Sequence, residues 1–473
     1  MRIGHAWIAA DPHPTISPAT GQLIGSASLG TAGHIDDAVV AARCAAQRLA
    51  RLSVWDRAAL CRRVGQAIAA RADELAMLLA NEQGKPFESE AKDELAFAVE
   101  AFEVAAEAVK HVNGTSFPLR EAGRLGITAL RPRGVYGVIT PWNYPIAISC
   151  AYYLAPGLAA GNALVWVPAL TTSLVASLLM ECLEAADLPD GAVNLVTGHG
   201  AVVGDALAGH RDVDAVGFTG STATGRSVAM RAAGKPVSLE LGGNGPTIVF
   251  ADADLDLAAA RICEGAFTNA GQTCTATERV LVERSVHDEL RERLVARASA
   301  VVLGDPFDPA TMMGPLHNQD TVDKVLAHLD DACAAGATID CGGAVATGFA
   351  TPLYFPATVV SGVGVGTLLN REETFGPVVP LLSFADEEEL QAITRASRYG
   401  LFASVFTRSV NTAMRQAGRL RAGVVHINEM SAYWDLTVPG GGASGSDSGT
   451  GRIGIAQSIR AMSDEVTVTL GFG

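Results

Sequence analysis

The chain has 473 residues, 49% of them hydrophobic and 18% charged, so it can bury more than one core and is expected to form two or three domains. Its formal net charge of −15 argues against a nucleic-acid partner or an anionic membrane surface. The 8 cysteines are scattered without a CxxC pair, which argues against a disulfide framework and predicts reduced thiols in the cytoplasm. No histidine or cysteine cluster has the spacing of metal ligands, so no metal is expected.

Two features bear on a membrane location. The N-terminus runs into prolines before an apolar segment develops, so we expect no signal peptide. Residues 134–180 contain no Asp, Glu, Lys or Arg, but prolines and asparagines interrupt every candidate membrane span. Buried strands and helices of an α/β core explain this uncharged stretch better, and no membrane partner is expected.

The first third of the chain is predicted to be mainly helical. Alanine and leucine recur at helical spacing over 34–51, 53–82 and 88–111, with a break at Lys85-Pro86. Residues 125–133 alternate loosely, as a hairpin or an edge strand would.

From residue 134 short apolar strands alternate with helical segments, which predicts a parallel, doubly wound sheet. The strands are expected at 135–140, 163–167, 192–196 and 215–219. The alternation restarts after Glu240, with a helix beginning at Leu255, and predicts a second α/β domain. Its strands are expected at 246–250, 279–282, 378–382, 403–407 and 424–428. The tail 465–470 alternates with period two, which is typical of a half-buried strand.

A glycine-containing segment, GFTGSTATG at 217–225, follows a predicted strand and opens a helix. Gly220 and Gly225 allow a tight backbone, and Ser221 can offer its hydroxyl and amide to a pyrophosphate at the helix N-terminus. The segment is not the G-x-G-x-x-G fingerprint, and taken alone it is equally well interpreted as a glycine-capped turn without a ligand.

An acidic loop, EETFGP at 372–377, is a second candidate ligand site. Its carboxylates could hold ribose hydroxyls, and its ring could pack against a nicotinamide. A solvated acidic loop is the alternative interpretation.

Three residues have the chemistry of a covalent catalytic site. Cys274 ends a run of small and polar residues, and Glu240 precedes a pair of glycines. A thiol and a carboxylate on separate turns can serve as nucleophile and general base. A core cysteine and a helix N-terminal charge are the alternatives. Asn143 could donate to a developing oxyanion, although turn propensity alone favours an ordinary turn asparagine.

Six motifs in order, TPWNYP, GFTGSTATG, LELGG, FTNAGQTC, EETFGP and PGGG…SGTGR, resemble the signatures of the aldehyde dehydrogenase superfamily. The match runs from about residue 82 to near the C-terminus. The resemblance implies an α/β fold with three parts: a Rossmann-type cofactor domain, an α/β catalytic domain, and a small β oligomerisation arm mediating a homodimer or homotetramer. These parts are expected at 1–114 with 134–243, at 244–440, and at 115–133 with 455–473.

The resemblance also implies oxidation of an aldehyde to a carboxylic acid with NAD or NADP. Cys274 would attack the aldehyde carbon, Asn143 and the Cys274 amide would meet the oxyanion, and Glu240 would activate water to release the acid from a thioester. The residues expected at the cofactor are Thr140, Pro141, Trp142, Val167, Phe218, Gly220, Ser221, Gly225, Leu241, Gly242, Glu373 and Phe375. The walls of the aldehyde tunnel are expected at Tyr144, Tyr433 and Trp434, and this Tyr-Trp pair favours an aromatic or other hydrophobic aldehyde.

The chain departs from the family pattern at several positions. Val167 and Leu170 stand where members usually carry the lysine that holds adenosine ribose and a glutamate often associated with NAD. Tyr153 stands where a lysine is common, and Gly440 replaces an aromatic residue. Residues 163–172 contain no cation for a 2′-phosphate, which favours NAD, although Arg226 could supply one from the next helix.

Two other functions remain open from the sequence. A coenzyme A-acylating relative typically lacks the base that Glu240 matches. A catalytically silent structural relative would be favoured by loss of the nucleophile, the base or the oxyanion donor, and the chain retains all three residues.

Overall fold

The computed structural model describes residues 1–472. The strands are β1 Arg2–Ile3, β2 Ala6–Trp7, β3 Pro12–Ile16, β4 Leu23–Ser28, β5 Ser116–Pro118, β6 Arg124–Pro132, β7 Val135–Ile139, β8 Ala163–Val167, β9 Val193–Leu195, β10 Ala215–Thr219, β11 Val237–Glu240, β12 Pro246–Val249, β13 Arg279–Glu283, β14 Thr338–Cys341, β15 Thr358–Ser361, β16 Val378–Phe384, β17 Phe402–Phe406, β18 Val424–Ile427, β19 Gly449–Thr450 and β20 Ser463–Gly471.

The α-helices are α1 Ala32–Leu49, α2 Val54–Ala69, α3 Ala72–Gln83, α4 Lys92–Ala108, α5 Ala155–Ala160, α6 Ser173–Ala185, α7 Asp205–Gly209, α8 Thr222–Arg231, α9 Leu255–Phe267, α10 His287–Ala298, α11 Gln319–Ala334, α12 Leu368–Arg371, α13 Glu387–Arg395, α14 Val410–Arg419 and α15 Ile455–Ala461. Short 3₁₀ or π-helical turns lie at Phe87–Ala91, Ser149–Leu154, Leu170–Thr172, Gly200–Gly204, Thr268–Gly271 and Arg284–Val286. No helix within residues 1–472 is both long enough and apolar enough to cross a membrane.

The first sheet has the parallel, doubly wound core that the sequence predicts. Its central strands run in the order β9-β8-β7-β10-β11, with antiparallel β1 and β19 beyond them. Every residue of β7, β8 and α5 is buried, which accounts for much of the uncharged stretch at 134–180. The strand order reverses between β7 and β10, and in open α/β sheets ligands bind outside the carboxyl ends of the strands at such a point.

The second sheet begins after β11 and has its own hydrophobic core. Its strands run in the order β14-β15-β16-β13-β12-β17-β18, parallel except for β14. The apolar residues buried on it come almost entirely from positions after 247, whereas the first core is drawn mainly from positions before 242. This confirms the prediction that the alternation of strands and helices restarts after Glu240.

A smaller antiparallel sheet has the order β20-β6-β5, so the loosely alternating segment forms a hairpin with β5 and pairs on its other side with the tail strand. The tail alternation is confirmed as β20. Residues 455–461, which the sequence groups with this sheet, form α15. Ile455 and Ile459 of α15 lie in the first core, and the strand of the arm begins at Ser463.

The helical prediction for the first third of the chain differs from the structure in two places. The predicted helix over 53–82 is two helices, α2 and α3, because Arg71 leaves the helical backbone at φ −123° and ψ 21°. No glycine or proline signals this break. The N-terminal strands β1 to β4 are absent from the prediction, since β1 and β2 have only two residues each and β3 and β4 are mostly exposed or half-buried and lack an apolar run.

Candidate active site

Two cavities meet at Cys274. Within residues 1–472, only Cys274 and Ile148 line both of them. The first cavity, of about 330 Å³, lies outside the carboxyl ends of β7, β10 and β11. The second, of about 340 Å³, lies between the start of α4, the turn before α5 and the loop after β18. We call them the strand-end cavity and the side-chain cavity. A nucleophile at their junction can contact one molecule in each.

The turn that carries Cys274 has an unusual backbone. Asn269, Ala270 and Gly271 are all left-handed, with φ of 53°, 53° and 73°. Such a conformation costs a non-glycine residue on the order of 1 kcal/mol and persists only when the surroundings hold it. A Cβ on Gly271 would lie 2.2 Å from the carbonyl oxygen of Gly376, so this position also requires glycine for space.

Buried hydrogen bonds hold this turn in place. The Glu90 carboxylate accepts from the Asn269 backbone N–H at 3.0 Å, and Gln83 Nε2 donates to Asn269 Oδ1 at 2.9 Å. Asn269 Nδ2 donates to the carbonyl oxygen of Asn143 at 3.0 Å. The strained nucleophile turn is therefore tied to the helical region and to the loop that carries Asn143, a dependence that the sequence motif alone does not reveal.

The Cys274 thiol is protonated at neutral pH. Burial raises its pKa to about 12, and the charges of Glu373 and Glu240 act in the same direction. Because the thiolate is the nucleophilic form, a neighbouring base must accept the proton as the sulfur reacts.

Glu240 is positioned to be that base. It is the last residue of β11, is 4% exposed and lines the strand-end cavity together with Cys274. Its Oε1 makes no hydrogen bond within residues 1–472. Burial raises the pKa of Glu240 well above the ordinary value, opposed in part by the charge of Arg452. A carboxylate with a raised pKa is a stronger base near neutral pH than an ordinary glutamate.

Asn143 is fixed beside the same cavity. Its Nδ2 donates to the carbonyl oxygen of Gln272 at 2.9 Å, and its own carbonyl oxygen accepts from Lys85 Nζ at 3.0 Å. The side chain is 5% exposed and lines the strand-end cavity. Because an amide NH₂ has two N–H groups, one remains to donate into the cavity, as an oxyanion donor requires.

The remaining wall of the strand-end cavity suits a phosphorylated ligand. Ser221 caps α8 by accepting from the Thr224 N–H at 3.3 Å, so the helix N-terminus faces the carboxyl end of β10. A Cβ on Gly220 would lie 2.7 Å from the Phe218 ring, and one on Gly242 would lie 2.7 Å from Glu373 Oε1. Both positions therefore require glycine, which leaves no side chain between the backbone of these turns and the cavity.

The acidic loop is built into the opposite wall. Phe375 is left-handed at φ 62°, and its N–H and that of Thr374 both donate to the Glu278 carboxylate, at 2.8 and 2.5 Å. Glu373 accepts from the Gly243 N–H at 2.8 Å. Burial, followed by the charge of Glu373, raises the pKa of Glu278 to about 8. This loop is therefore a partly buried wall held by hydrogen bonds and not a freely solvated acidic loop.

Most residues predicted at the cofactor meet at this cavity, and a few do not. Those that line it are Pro141, Trp142, Gly220, Ser221, Leu241, Gly242, Glu373 and Phe375. Four lie behind the wall: Thr140, Val167, Phe218 and Gly225. Thr140 Oγ1 accepts from Trp166 Nε1 at 2.8 Å, and Gly225 packs under Leu241. Thr219 lies within the GFTGSTATG motif but has no role predicted from it, and sequence motifs gave no signal for the lining residues Ile148, Asn318, Asp320, Thr321 and Lys324.

The side-chain cavity is lined by Tyr144 and Trp434, as predicted, but not by Tyr433. Tyr433 is 40% exposed and packs edge-on against His426 at 5.6 Å. Trp434 Nε1 donates to Thr275 Oγ1 at 3.2 Å, which fixes the indole beside the nucleophile. A Cβ on Gly440 would lie 2.9 Å from the indole, so the small residue at 440 makes room for this ring.

The sequence missed most of this cavity. Tyr152 adds a third aromatic wall, tilted against Trp434 with ring centroids 5.7 Å apart. The other lining residues come from the start of α4 and from separate loops: Ser89, Glu90, Asp93, Glu94, Phe97, Ala147, Ile148, Thr268, Thr273, Met430 and Ala432. Thr268 and Thr273 belong to the FTNAGQTC motif, but the other residues share no motif, so no sequence signal could have grouped the whole set.

Comparisons with known proteins agree with this geometry. The model of the aldehyde dehydrogenase family matches residues 7–468. Among curated relatives, 2-hydroxymuconic semialdehyde dehydrogenase of Pseudomonas sp. is 37% identical over 94% of this chain and 93% of its own. Betaine aldehyde dehydrogenase of Brucella melitensis is 38% identical over 95% and 92%.

Solved structures give the same result. A betaine aldehyde dehydrogenase of Staphylococcus aureus in complex with NAD+ has a TM-score of 0.95 at 31% identity, covering 100% of this chain and 97% of its own. An NADP-dependent enzyme of E. coli has a TM-score of 0.96 at 35% identity, covering 99% and 97%. On the family match, the relatives and the fold together, the chain belongs to the aldehyde dehydrogenase family.

Proposed function

We propose that the protein oxidises an aldehyde to a carboxylic acid with NAD(P), through a covalent intermediate on Cys274. The observation that carries the proposal is the position of Cys274 at the junction of two cavities, with Glu240 buried and unpartnered in the wall of one of them. An aldehyde in the side-chain cavity and a cofactor in the strand-end cavity would then meet beside the same sulfur.

In the first half-reaction Cys274 forms a bond to the aldehyde carbon, and the carbonyl π electrons move to oxygen. The thiol proton leaves to Glu240, whose raised pKa favours accepting it. The resulting oxyanion accepts hydrogen bonds from Asn143 Nδ2 and from the Cys274 N–H. A rigid donor helps most here, and the bond from Asn143 to Gln272 supports that rigidity.

The lining of the strand-end cavity suits the pyrophosphate and nicotinamide end of a dinucleotide. The start of α8 and the open backbone at Gly220 suit its pyrophosphate, and Glu373 and Phe375 would hold its nicotinamide ribose and ring. When bound there, NAD(P) supplies the acceptor for the hydride that leaves the substrate carbon.

In the second half-reaction a water must hydrolyse the thioester left on Cys274. Glu240 first releases to solvent the proton that it took from the thiol. It then accepts one proton from the water while the water oxygen bonds to the thioester carbon. The carbon–sulfur bond breaks to release the acid, and the sulfur regains a proton from Glu240. A retained, buried base supports hydrolysis over transfer of the acyl group to coenzyme A. It equally supports an active enzyme over a silent structural relative.

We propose NAD as the preferred cofactor. Arg226 is the cation that the sequence offers for pairing with a 2′-phosphate. Its guanidinium instead forms an ion pair with Asp447 at 2.7 Å. Arg398 contacts the other oxygen of the same carboxylate at 3.3 Å. Arg226 is therefore already paired, and residues 163–172 contain no other cation for the 2′-phosphate of NADP. A kcat/KM for NADP equal to that for NAD would contradict this preference.

We propose that the substrate is a hydrophobic aldehyde without a carboxylate group. Tyr144, Tyr152 and Trp434 supply apolar walls, and Glu90 and Asp93 place acidic groups along the same cavity. No lysine, arginine or histidine of residues 1–472 lines it. A carboxylate on the substrate would meet like charge without a partner, whereas a neutral or ammonium-bearing aldehyde would not.

The domain division drawn from the sequence is supported by the separate cores before 242 and after 247.

We further propose a homodimer or homotetramer. The strands β20 and β18 are sheet edges, and Leu470, Phe472 and Ile427 near these edges are exposed. Light scattering would test the assembly, and a monomer at micromolar concentration would contradict it. The 8 unpaired cysteines support a reducing, cytoplasmic location.

The test is an aldehyde panel assayed with NAD and with NADP by the absorbance of the reduced cofactor. The panel pairs benzaldehyde with 4-carboxybenzaldehyde and with 4-(trimethylammonio)benzaldehyde, and adds hexanal and succinate semialdehyde. We expect turnover with benzaldehyde or hexanal and much less with the carboxylated members. No turnover with any aldehyde and either cofactor would overturn the proposed function. Preference for the carboxylated members would overturn only the substrate class.

A further inference from the structure

Glu240 has a hydroxyl beside it that the proposed reaction has not used. Thr219 ends β10 and Glu240 ends β11, and the two residues are paired in the parallel register of these strands. Paired residues of neighbouring strands project to the same face of the sheet at a strand spacing of about 4.8 Å. Both residues line the strand-end cavity, and so does Cys274. A water in this cavity can therefore reach the carboxylate and the hydroxyl together.

The Thr219 hydroxyl is held from behind by a tyrosine. Tyr153 is 1% exposed, and its hydroxyl lies 2.7 Å from Thr219 Oγ1, its only hydrogen-bond partner within residues 1–472. A buried tyrosine hydroxyl usually needs such a partner. This is the position where the family pattern has a lysine, so the contact is a feature of this chain.

The sheet is shaped to admit the tyrosine ring. A Cβ on Gly217 would lie 2.3 Å from Cε1 of Tyr153, so any larger residue there would collide with the ring. Gly217 and Thr219 are two residues apart on β10 and face the same side of the sheet. The glycine accepts the ring, and the hydroxyl then reaches the threonine at the end of the strand. The glycine, the threonine and the tyrosine thus form one structural unit.

The donor and the acceptor in the hydrogen bond between Tyr153 and Thr219 follow from the acidity of the two hydroxyls. Each hydroxyl has one proton to donate. The phenol is the stronger acid of the two, so Tyr153 is the better donor, and Thr219 Oγ1 then accepts and keeps its own proton for the cavity. We propose that Tyr153 is a positioning residue that acts through Thr219, whose O–H binds and orients the water that Glu240 activates against the thioester on Cys274.

The step balances as a hydrolysis. The water oxygen accepts a hydrogen bond from Thr219, gives one proton to Glu240 and forms a bond to the thioester carbon. The carbon–sulfur bond then breaks, and its electron pair returns to Cys274. Glu240 passes the proton to that sulfur, so one water is consumed and one carboxylic acid is released. Tyr153 and Thr219 gain and lose no proton overall.

This inference rests on the proposed function and concerns only its second half-reaction. The test uses the full-length protein with NAD and the aldehyde of the panel that the wild type oxidises fastest, beginning with benzaldehyde. Rapid-quench samples analysed by intact-protein mass spectrometry give the rates at which the acyl-enzyme forms and decays. The variants are Tyr153→Phe, Thr219→Val and the double variant.

We expect acyl-enzyme decay to slow about tenfold in Tyr153→Phe and at least as much in Thr219→Val, the effect of one lost positioning hydrogen bond. Formation of the acyl-enzyme should change less than about twofold, since the hydroxyl pair acts on the water. The double variant should be no slower than Thr219→Val alone, because Tyr153 acts through Thr219. Thr219→Ser, which keeps the hydroxyl, should decay within about threefold of the wild type.

The matched control is Tyr136→Phe. Tyr136 is buried, and its ring flanks the same glycine, with Cε1 3.1 Å from the Cβ position of Gly217. Its variant should leave both rates unchanged. Three results would each overturn the inference. They are acyl-enzyme decay at the wild-type rate in Tyr153→Phe, equal slowing of acyl-enzyme formation and decay, and additive effects in the double variant. If Tyr153→Phe does not fold, Thr219→Val against Thr219→Ser decides it. A wild type that forms no acyl-enzyme with any aldehyde overturns the proposed function itself, and this inference with it.

Discussion

The two cavities that meet at Cys274 are built in different ways. The strand-end cavity is formed by the ends of parallel strands and by turns whose glycines leave no room for a side chain, as at Gly242. The side-chain cavity is formed by aromatic and acidic side chains from several separate segments. Changing a side chain in the first cavity therefore disturbs the reaction for every aldehyde. Changing one in the second alters which aldehydes react.

The nucleophile belongs to both cavities and should show the largest effect. Cys274→Ala removes the atom that bonds to the substrate, so dehydrogenase turnover should fall by at least ~10⁴-fold with every aldehyde of the panel. The absorbance of the reduced cofactor measures it. Cys263→Ala is the matched control, since Cys263 is a buried cysteine of the preceding helix outside both cavities, and its activity should persist. Dehydrogenase activity retained in Cys274→Ala would remove the nucleophile assignment.

Glu240 belongs to the strand-end cavity alone and should affect all aldehydes alike. Glu240→Gln keeps the shape but not the base, so thiol activation and thioester hydrolysis should both slow, and we expect a steady-state rate ~10²- to 10³-fold lower than that of the wild type. The wild-type steady-state rate should rise with pH through a raised pKa, because Glu240 must be ionised to accept a proton. An unchanged steady-state rate in Glu240→Gln, or an acid limb at the ordinary glutamate pKa of about 4.3, would contradict this role.

The difference between the cavities also explains what could be predicted from the sequence. Motif residues such as Gly220, Glu240 and Cys274 are recognisable because a tight backbone and a fixed chemistry restrict the residue at each position. The central strands are equally predictable from the sequence, since buried parallel strands are continuous apolar runs. Tyr152 and Asp93 have no such signal, because helices and loops distant in sequence bring them to the same cavity. Tyr433 was wrongly grouped with its neighbour, since adjacent residues of a loop need not face the same side.

The acidic side of the second cavity should select substrates by charge. Burial raises the pKa of Glu90 to about 7, so this carboxyl ionises as the pH rises through neutrality and the cavity becomes more negative. The ratio of kcat/KM for 4-(trimethylammonio)benzaldehyde to that for benzaldehyde should therefore increase across this range, by about fivefold. Glu90→Gln, which keeps an acceptor for the Asn269 N–H, should flatten the increase.

Reversing the charge of Asp93 tests the same selection of substrates by charge in the side-chain cavity. Asp93 is exposed, so Asp93→Lys should raise kcat/KM for 4-carboxybenzaldehyde relative to benzaldehyde by only about threefold, and less at high salt. Asp73→Lys, on α3 and outside both cavities, is the matched surface control. Equal shifts in the two variants would mean that the overall charge of the protein, and not this cavity, sets the preference.

An effect of similar size is expected at Trp434, where the chain supplies its own control one residue away. Trp434→Phe loses the hydrogen bond to Thr275 Oγ1 and part of the aromatic wall, worth about 1 kcal/mol, so KM for benzaldehyde should rise about fivefold with kcat nearly unchanged. Tyr433→Phe should change neither constant, because Tyr433 packs on His426 outside the cavity. Steady-state kinetics over the panel separate the two. If Tyr433→Phe altered aldehyde preference as much as Trp434→Phe, the walls of the side-chain cavity would not be the determinants of specificity, and the contrast with the strand-end cavity would fail.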